Sequence, residues 1–126
     1  MPTAVTLDLE GVTLQGELDD SPAARALAAR LPLSLSLSRW GEEYYGDVGE
    51  PLGAFEGLQV EEMAVWELAY WEPGNALCLF FGPTPASRGD EPRAASPVHR
   101  VGRVEGDWAA VSALGASVRA TLARAE

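Results

Sequence analysis

Residues 71–85 read WEPGNALCLFFGPTP, and the interpretation of this stretch decides the fold. Pro73-Gly74 suits the two central positions of a type II turn, because Pro presets a negative φ and Gly accepts the positive one. After the turn, Ala76, Leu77, Cys78, Leu79, Phe80 and Phe81 are apolar without interruption. A run so short, bounded by turn residues, predicts a strand covered on both faces. Such a strand belongs at the buried centre of a single β-barrel.

Working outward, Leu58 to Val60 and Met63 to Trp71 have strand character, with Ala69 and Trp71 on one face and Leu68 and Tyr70 on the other. Leu33, Leu35 and Leu37 alternate with Ser34, Ser36 and Ser38, which predicts a half-buried strand with its hydroxyls outward. Val5, Leu7 and Leu9, then Val12, Leu14 and Leu18, repeat the period of two about Gly11 as a hairpin. Ser21 and Pro22 form a helix start, and Ala24, Leu27, Ala28 and Leu31 make one apolar stripe before Pro32. Gly49 to Gly57 reads as a loop on its Gly and Pro content. Pro83 to Pro97 has no hydrophobic periodicity and is expected to be a long loop, of a length uncommon in compact domains unless it serves a site or is disordered. Val98 to Val104 is a further strand, Asp107 caps a helix from Trp108 to Leu114, and Val118, Ala120 and Leu122 form the last strand. Short strands without sustained β-then-α alternation predict a mostly antiparallel barrel with two helices.

Composition narrows the chemistry. The 126 residues suit one domain, 1–126, and no apolar run approaches the ~20 residues of a membrane span. The start, MPTAVTLDLEG, lacks the basic and apolar regions of a signal peptide, so a cytoplasmic location is expected. A net charge of −10 argues against nucleic acid or an anionic membrane as partner. All nine basic residues are Arg, so Schiff-base and phosphate-loop lysine chemistry are excluded. With one Cys, Cys78, and one His, His99, no zinc set is available, and neither metal nor cofactor is expected. No G-x-S-x-G elbow is present to activate a hydrolytic serine.

Four segments carry a resemblance: DSPAARAL at 20–27, LPLSLSLSRWGEEYYGD at 31–47, AYWEPGNALCLFFGPTPASRGDEPR at 69–93 and SPVHRVGRV at 96–104. Together they resemble the bacterial and archaeal cyclophilin-like domain family, whose barrel is related to that of the prolyl isomerases. The resemblance implies a closed or nearly closed β-barrel of roughly eight mainly antiparallel strands capped by two short helices. Toward true prolyl isomerases, it offers Phe81 as a pocket-floor phenylalanine and His99 as a rim histidine. The isomerase arginine motif is not matched, and Arg39 lies only roughly in its region.

Several side chains are candidates for contact with a ligand. Trp40 and Tyr45 would supply aromatic area, as would Phe81. Asn75, at a strand end, and Thr84 would supply neutral hydrogen bonds, and Arg88 a charge able to hold a carboxylate or phosphate. Glu42 and Glu43 point to opposite faces of a strand and read as solvated charge. Cys78, inside an apolar run, reads as an inert thiol with a raised pKa. A binding module for a small ligand or short peptide is therefore expected, with prolyl isomerase as the enzymatic alternative and a protein-protein interaction module, using Trp66 and Trp108, as the third.

Overall fold

The computed structural model, which describes residues 2–125, has nine strands and two helices; Glu43–Asp47 is a strand without a period of two, and of the expected strand Met63 to Trp71 only Glu67–Trp71 forms. The strands are β1 (Thr3–Leu9), β2 (Val12–Leu18), β3 (Leu33–Arg39), β4 (Glu43–Asp47), β5 (Val60–Glu62), β6 (Glu67–Trp71), β7 (Ala76–Phe80), β8 (Arg93–Glu105) and β9 (Ser117–Arg124). Helix α1 spans Pro22–Ala28 and α2 spans Trp108–Ser112. The Ser21 hydroxyl accepts from the Ala24 N–H and the Asp107 carboxylate from the Ala110 N–H, so both caps form as their residue types dictate.

The sheet runs β2-β1-β9-β3-β4-β7-β6-β8, and β2 pairs again with β8, which closes an antiparallel barrel of eight strands. The ninth, β5, pairs only with the first part of β8 and lies outside the barrel. Every residue of β7 is buried. Leu77 and Leu79 face the barrel interior with Leu7, Leu35, Tyr44, Leu68 and Val101. Ala76, Cys78 and Phe80 face outward, where Met63, Ala94 and Val98 cover them as a second, smaller core. The uninterrupted apolar run thus serves two cores, one on each side of the barrel wall.

Two local expectations are corrected. Positive φ after Pro73 falls on Asn75 (φ 50°), not on Gly74, and residues 72–74 make a single 3-10 turn instead of a type II turn. The Trp71 ring lies against Gly74, where a Cβ would sit 2.3 Å from it, so the glycine serves close approach. Pro83 to Pro97 is not one loop, because β8 begins at Arg93 and continues through Pro97. Proline is tolerated there because this half of β8 pairs on one side only, with β5. Further along, the register with β6 slips between Leu68 and Ala69, and the bulge redirects β8 from the outer layer into the barrel.

Candidate functional site

The outer layer leaves a cavity of about 300 Å³ against the barrel wall, lined by Trp40, Glu43, Tyr45, Trp71, Cys78, Ala94, Ala95 and Val98. Its geometry follows from register. Tyr44 faces inward and stacks on Phe81 with ring centroids 5.6 Å apart, so its neighbours Glu43 and Tyr45 must face outward. They lie opposite Phe80 and Cys78 of β7. Trp40 enters from the β3–β4 hairpin, whose ends are tied by the Trp40 N–H to the Glu43 carbonyl (2.8 Å). Gly41 turns that hairpin at φ 62°, packed so tightly on Thr84 and Pro85 that a Cβ would be 2.9 Å from each. Trp71 is oriented by its indole N–H, which donates to the Ser96 hydroxyl at 2.6 Å and fastens β8 across β6.

Glu43 is only 5% exposed, which overturns its reading as solvated charge. Burial pushes its carboxyl up from 4.5 to about 8, while a weak hydrogen bond with the Cys78 thiol pulls the other way. Near neutral pH the group is therefore mostly a carboxylic acid, able to donate as well as accept. Burial also raises Cys78, and the Glu43 charge adds to the effect. Among the described residues Glu43 forms no ion pair. Its strand neighbour Glu42 sits on the other side, in a 2.6 Å ion pair with Arg39.

Of the six residues singled out from sequence, Trp40 and Tyr45 meet at this cavity. Phe81 is placed on the interior face, stacked on Tyr44 and edge-on to Trp108. Thr84 is buried beside the loop, where its hydroxyl donates to the Arg93 carbonyl at 2.5 Å. Arg88 is exposed in that loop, its backbone N–H held by the Glu91 carboxylate. Asn75 works at the barrel end. Its Oδ1 accepts from the Tyr70 hydroxyl at 2.6 Å, and its Nδ2 donates to the Gly49 carbonyl at 2.8 Å. Asn75→Ala is expected to cost about 2 kcal/mol in chemical denaturation, through the lost bonds and the positive φ. Asn75→Gly should recover about half of that, and equal losses in the two variants would refute the backbone share.

The Glu43, Trp71 and Cys78 walls were missed. The only sequence signal for them is phase, because an inward Tyr44 obliges Glu43 and Tyr45 to share the outer face with Cys78. A second hollow of about 190 Å³ is lined by Glu17, Asp19, Glu67, Arg100, Gly102 and Arg103. Arg100 and Glu67 there already pair at 3.2 Å. Among the described residues no group of three His, Cys, Asp or Glu side chains is placed to hold a metal ion, and no helix is long and apolar enough to cross a membrane.

A family model described as cyclophilin-like matches residues 3–122. The chain belongs to the cyclophilin-like family. Among solved structures, this cyclophilin-like chain is similar to a hypothetical protein of Archaeoglobus fulgidus determined in solution. The two share 28% identity and superpose with a TM-score of 0.81, covering 98% of this chain and 95% of that one. No curated protein sequence matches.

Within this cyclophilin-like barrel, the residues compared with prolyl isomerases lie apart. Phe81 is interior, and His99 sits at the barrel end with Phe55, its Nε2 2.8 Å from a Glu72 carboxylate oxygen. Arg39 is fully engaged: it donates to the carbonyls of Gly41, Ser112 and Leu114, pairs with Glu42, and lies over the Tyr44 and Phe81 rings. Among the described residues no arginine lines the cavity.

Proposed function

We propose that the chain is a binding module whose site is the cavity on the outer barrel wall, sized for one small molecule or one side chain of a short peptide. A single observation carries this reading: three aromatic side chains and one buried carboxyl without an ion pair among the described residues converge on a preformed cavity of about 300 Å³. That volume is at the lower end of small-molecule sites, and an apolar lining with few placed polar groups is their usual chemistry. Tyr45, 37% exposed, stands where its ring meets both solvent and the cavity.

Titration with indole and benzamide, followed through the indole N–H resonances of Trp40 and Trp71, tests the site. Both resonances should shift with roughly millimolar affinity, as suits ligands of so few atoms. Trp40→Ala should weaken the response at Trp71 about tenfold. Saturating probe with unmoved Trp40 and Trp71 signals would remove the site. Prolyl isomerisation needs a free hydrogen-bond donor of arginine type beside the twisting amide, and Arg39 is committed elsewhere. A protease-coupled assay on a proline peptide should therefore show only the thermal rate, and acceleration would displace the binding-only reading.

A further inference from the structure

The chemistry of the lining narrows the ligand class for this cavity, given the reading of it as the binding site. Trp40, Tyr45 and Trp71 present three aromatic rings to one space that also holds the Glu43 carboxyl, 95% buried by its 5% exposure. A buried carboxyl is normally met by a cation or several donors. Here the neighbouring guanidinium groups are spent. Arg39 is bound to Glu42 and three carbonyls, and Arg93 pairs with Glu61, Glu62 and Glu91. Facing Glu43, β7 offers the Cys78 thiol and β4 the Tyr45 hydroxyl, whereas β6 and β8 contribute only Trp71, Ala94, Ala95 and Val98. With only the Cys78 thiol as hydrogen-bond partner among the described residues, Glu43 is kept as the neutral acid, and its ionised form could find a counter-ion only in the cavity.

Aromatic faces attract cations through their quadrupoles, Trp most strongly, and weakly hydrated alkylated ammonium groups are the ligands that such cages take. The lining side chains offer only the Glu43 carboxyl and the Tyr45 hydroxyl as strong acceptors. A primary ammonium must keep three N–H donors hydrogen-bonded inside an apolar lining, whereas a quaternary one has none to satisfy. An overall charge of −10 favours cations over anions at the entrance. The Trp71 ring is already held by Ser96, so little ordering is needed on binding. We infer that the cavity receives a small quaternary ammonium group, ringed by Trp40, Tyr45 and Trp71, with the Glu43 carboxylate as counter-ion.

Choline and its uncharged carbon counterpart, 3,3-dimethylbutan-1-ol, test this directly, and blocked Nε-trimethyllysine probes the same head group carried on a peptide. Binding is followed at the Trp40 and Trp71 indole resonances between pH 6 and pH 9. Because the cation needs the ionised carboxyl, and Glu43 titrates at about 8, choline should bind about a hundredfold more tightly at pH 9 than at pH 6. It should also release a proton at the lower pH, while the neutral alcohol shows neither effect. Glu43→Gln should abolish both the pH dependence and the preference for choline, with thermal unfolding confirming that the variant is folded. Trp40→Leu should weaken choline more than the alcohol. Choline binding no tighter than the alcohol, or unaffected by pH and by Glu43→Gln, would overturn the cation inference and leave the cavity as a binding site. If none of the probes moves the indole signals, the inference and the site fall together.

Discussion

Glu43→Gln is expected to flatten the fall in stability that the wild-type protein shows between pH 4.5 and pH 8. The carboxyl titrates at about 8 in the folded chain and near 4.5 when exposed, so across that window the folded state holds a proton that the unfolded state has released. Stability therefore decreases as pH rises, and the decrease is complete once pH passes the folded value. At about 1.4 kcal/mol per pKa unit, the gap corresponds to about 4 to 5 kcal/mol, a large share of a total that is typically about 5 to 15. Glutamine has nearly the shape of the protonated acid and cannot ionise. The variant should match wild type near pH 4.5 and exceed it by about 4 kcal/mol at pH 8 to 9. Other shifted groups act outside this window. Glu72 and Glu91 are held below the usual carboxylate range by hydrogen bonds, so their stabilising contributions are present above pH 4.5 and lost only in acid. Cys78 and Tyr70 are pushed up from 9.0 and 10.0, so their effects begin above pH 8. Urea denaturation of the two proteins at half-unit pH steps provides the measurement. Parallel profiles from pH 5 to 8 would show that Glu43 is not held neutral by burial.

That carboxyl also marks where reading the sequence stopped. The barrel was legible because most staves carry their own pattern: Leu33, Leu35 and Leu37 point in, the serines between them point out, and residues 76–81 are apolar on both faces. The caps were legible because Ser21 and Asp107 act within their own helices. Glu43 was not, because its burial comes from a strand fifty residues away. Residues 93–97, RAASP, fold over the outer wall, yet Pro97 and the adjacent polar residues made that piece read as loop. The double coverage of residues 76–81 did imply an outer layer, and register then places Glu43 and Tyr45 beneath it, opposite Phe80 and Cys78. What composition cannot convey is which segment supplies the cover. Asn75 illustrates a different limit. Its type and place signalled a constrained turn, and it is one, but the bonds it makes to Tyr70, Gly49 and Asp47 serve the barrel end rather than the cavity.

Gly102→Ala and Gly16→Ala should each destabilise the protein by about 3 kcal/mol or more, far beyond what loss of a glycine ordinarily costs. Both residues lie on the seam where β2 meets β8, at the pairings Leu18 to Gly102 and Gly16 to Val104. A Cβ on Gly102 would stand 2.2 Å from the Glu17 carbonyl oxygen, and one on Gly16 would stand 1.9 Å from that of Arg103. Those obstacles are backbone atoms, so no rotamer change relieves them and the strands must part. Parting matters more here than in an open sheet, because this pairing alone joins the first and last staves, and its loss exposes two edges at once. Gly115→Ala is the control, since no atom lies within 4 Å of its added Cβ and its φ is not positive; a change within about 0.5 kcal/mol is expected there. Amide exchange separates a local clash from loss of closure. In the seam variants the β2–β8 amides should exchange rapidly, whereas those between β3 and β9 stay protected if the remaining sheet persists. If Gly102→Ala stays within 1 kcal/mol of wild type with the seam still protected, the close approach of β2 and β8 is not what holds the barrel shut.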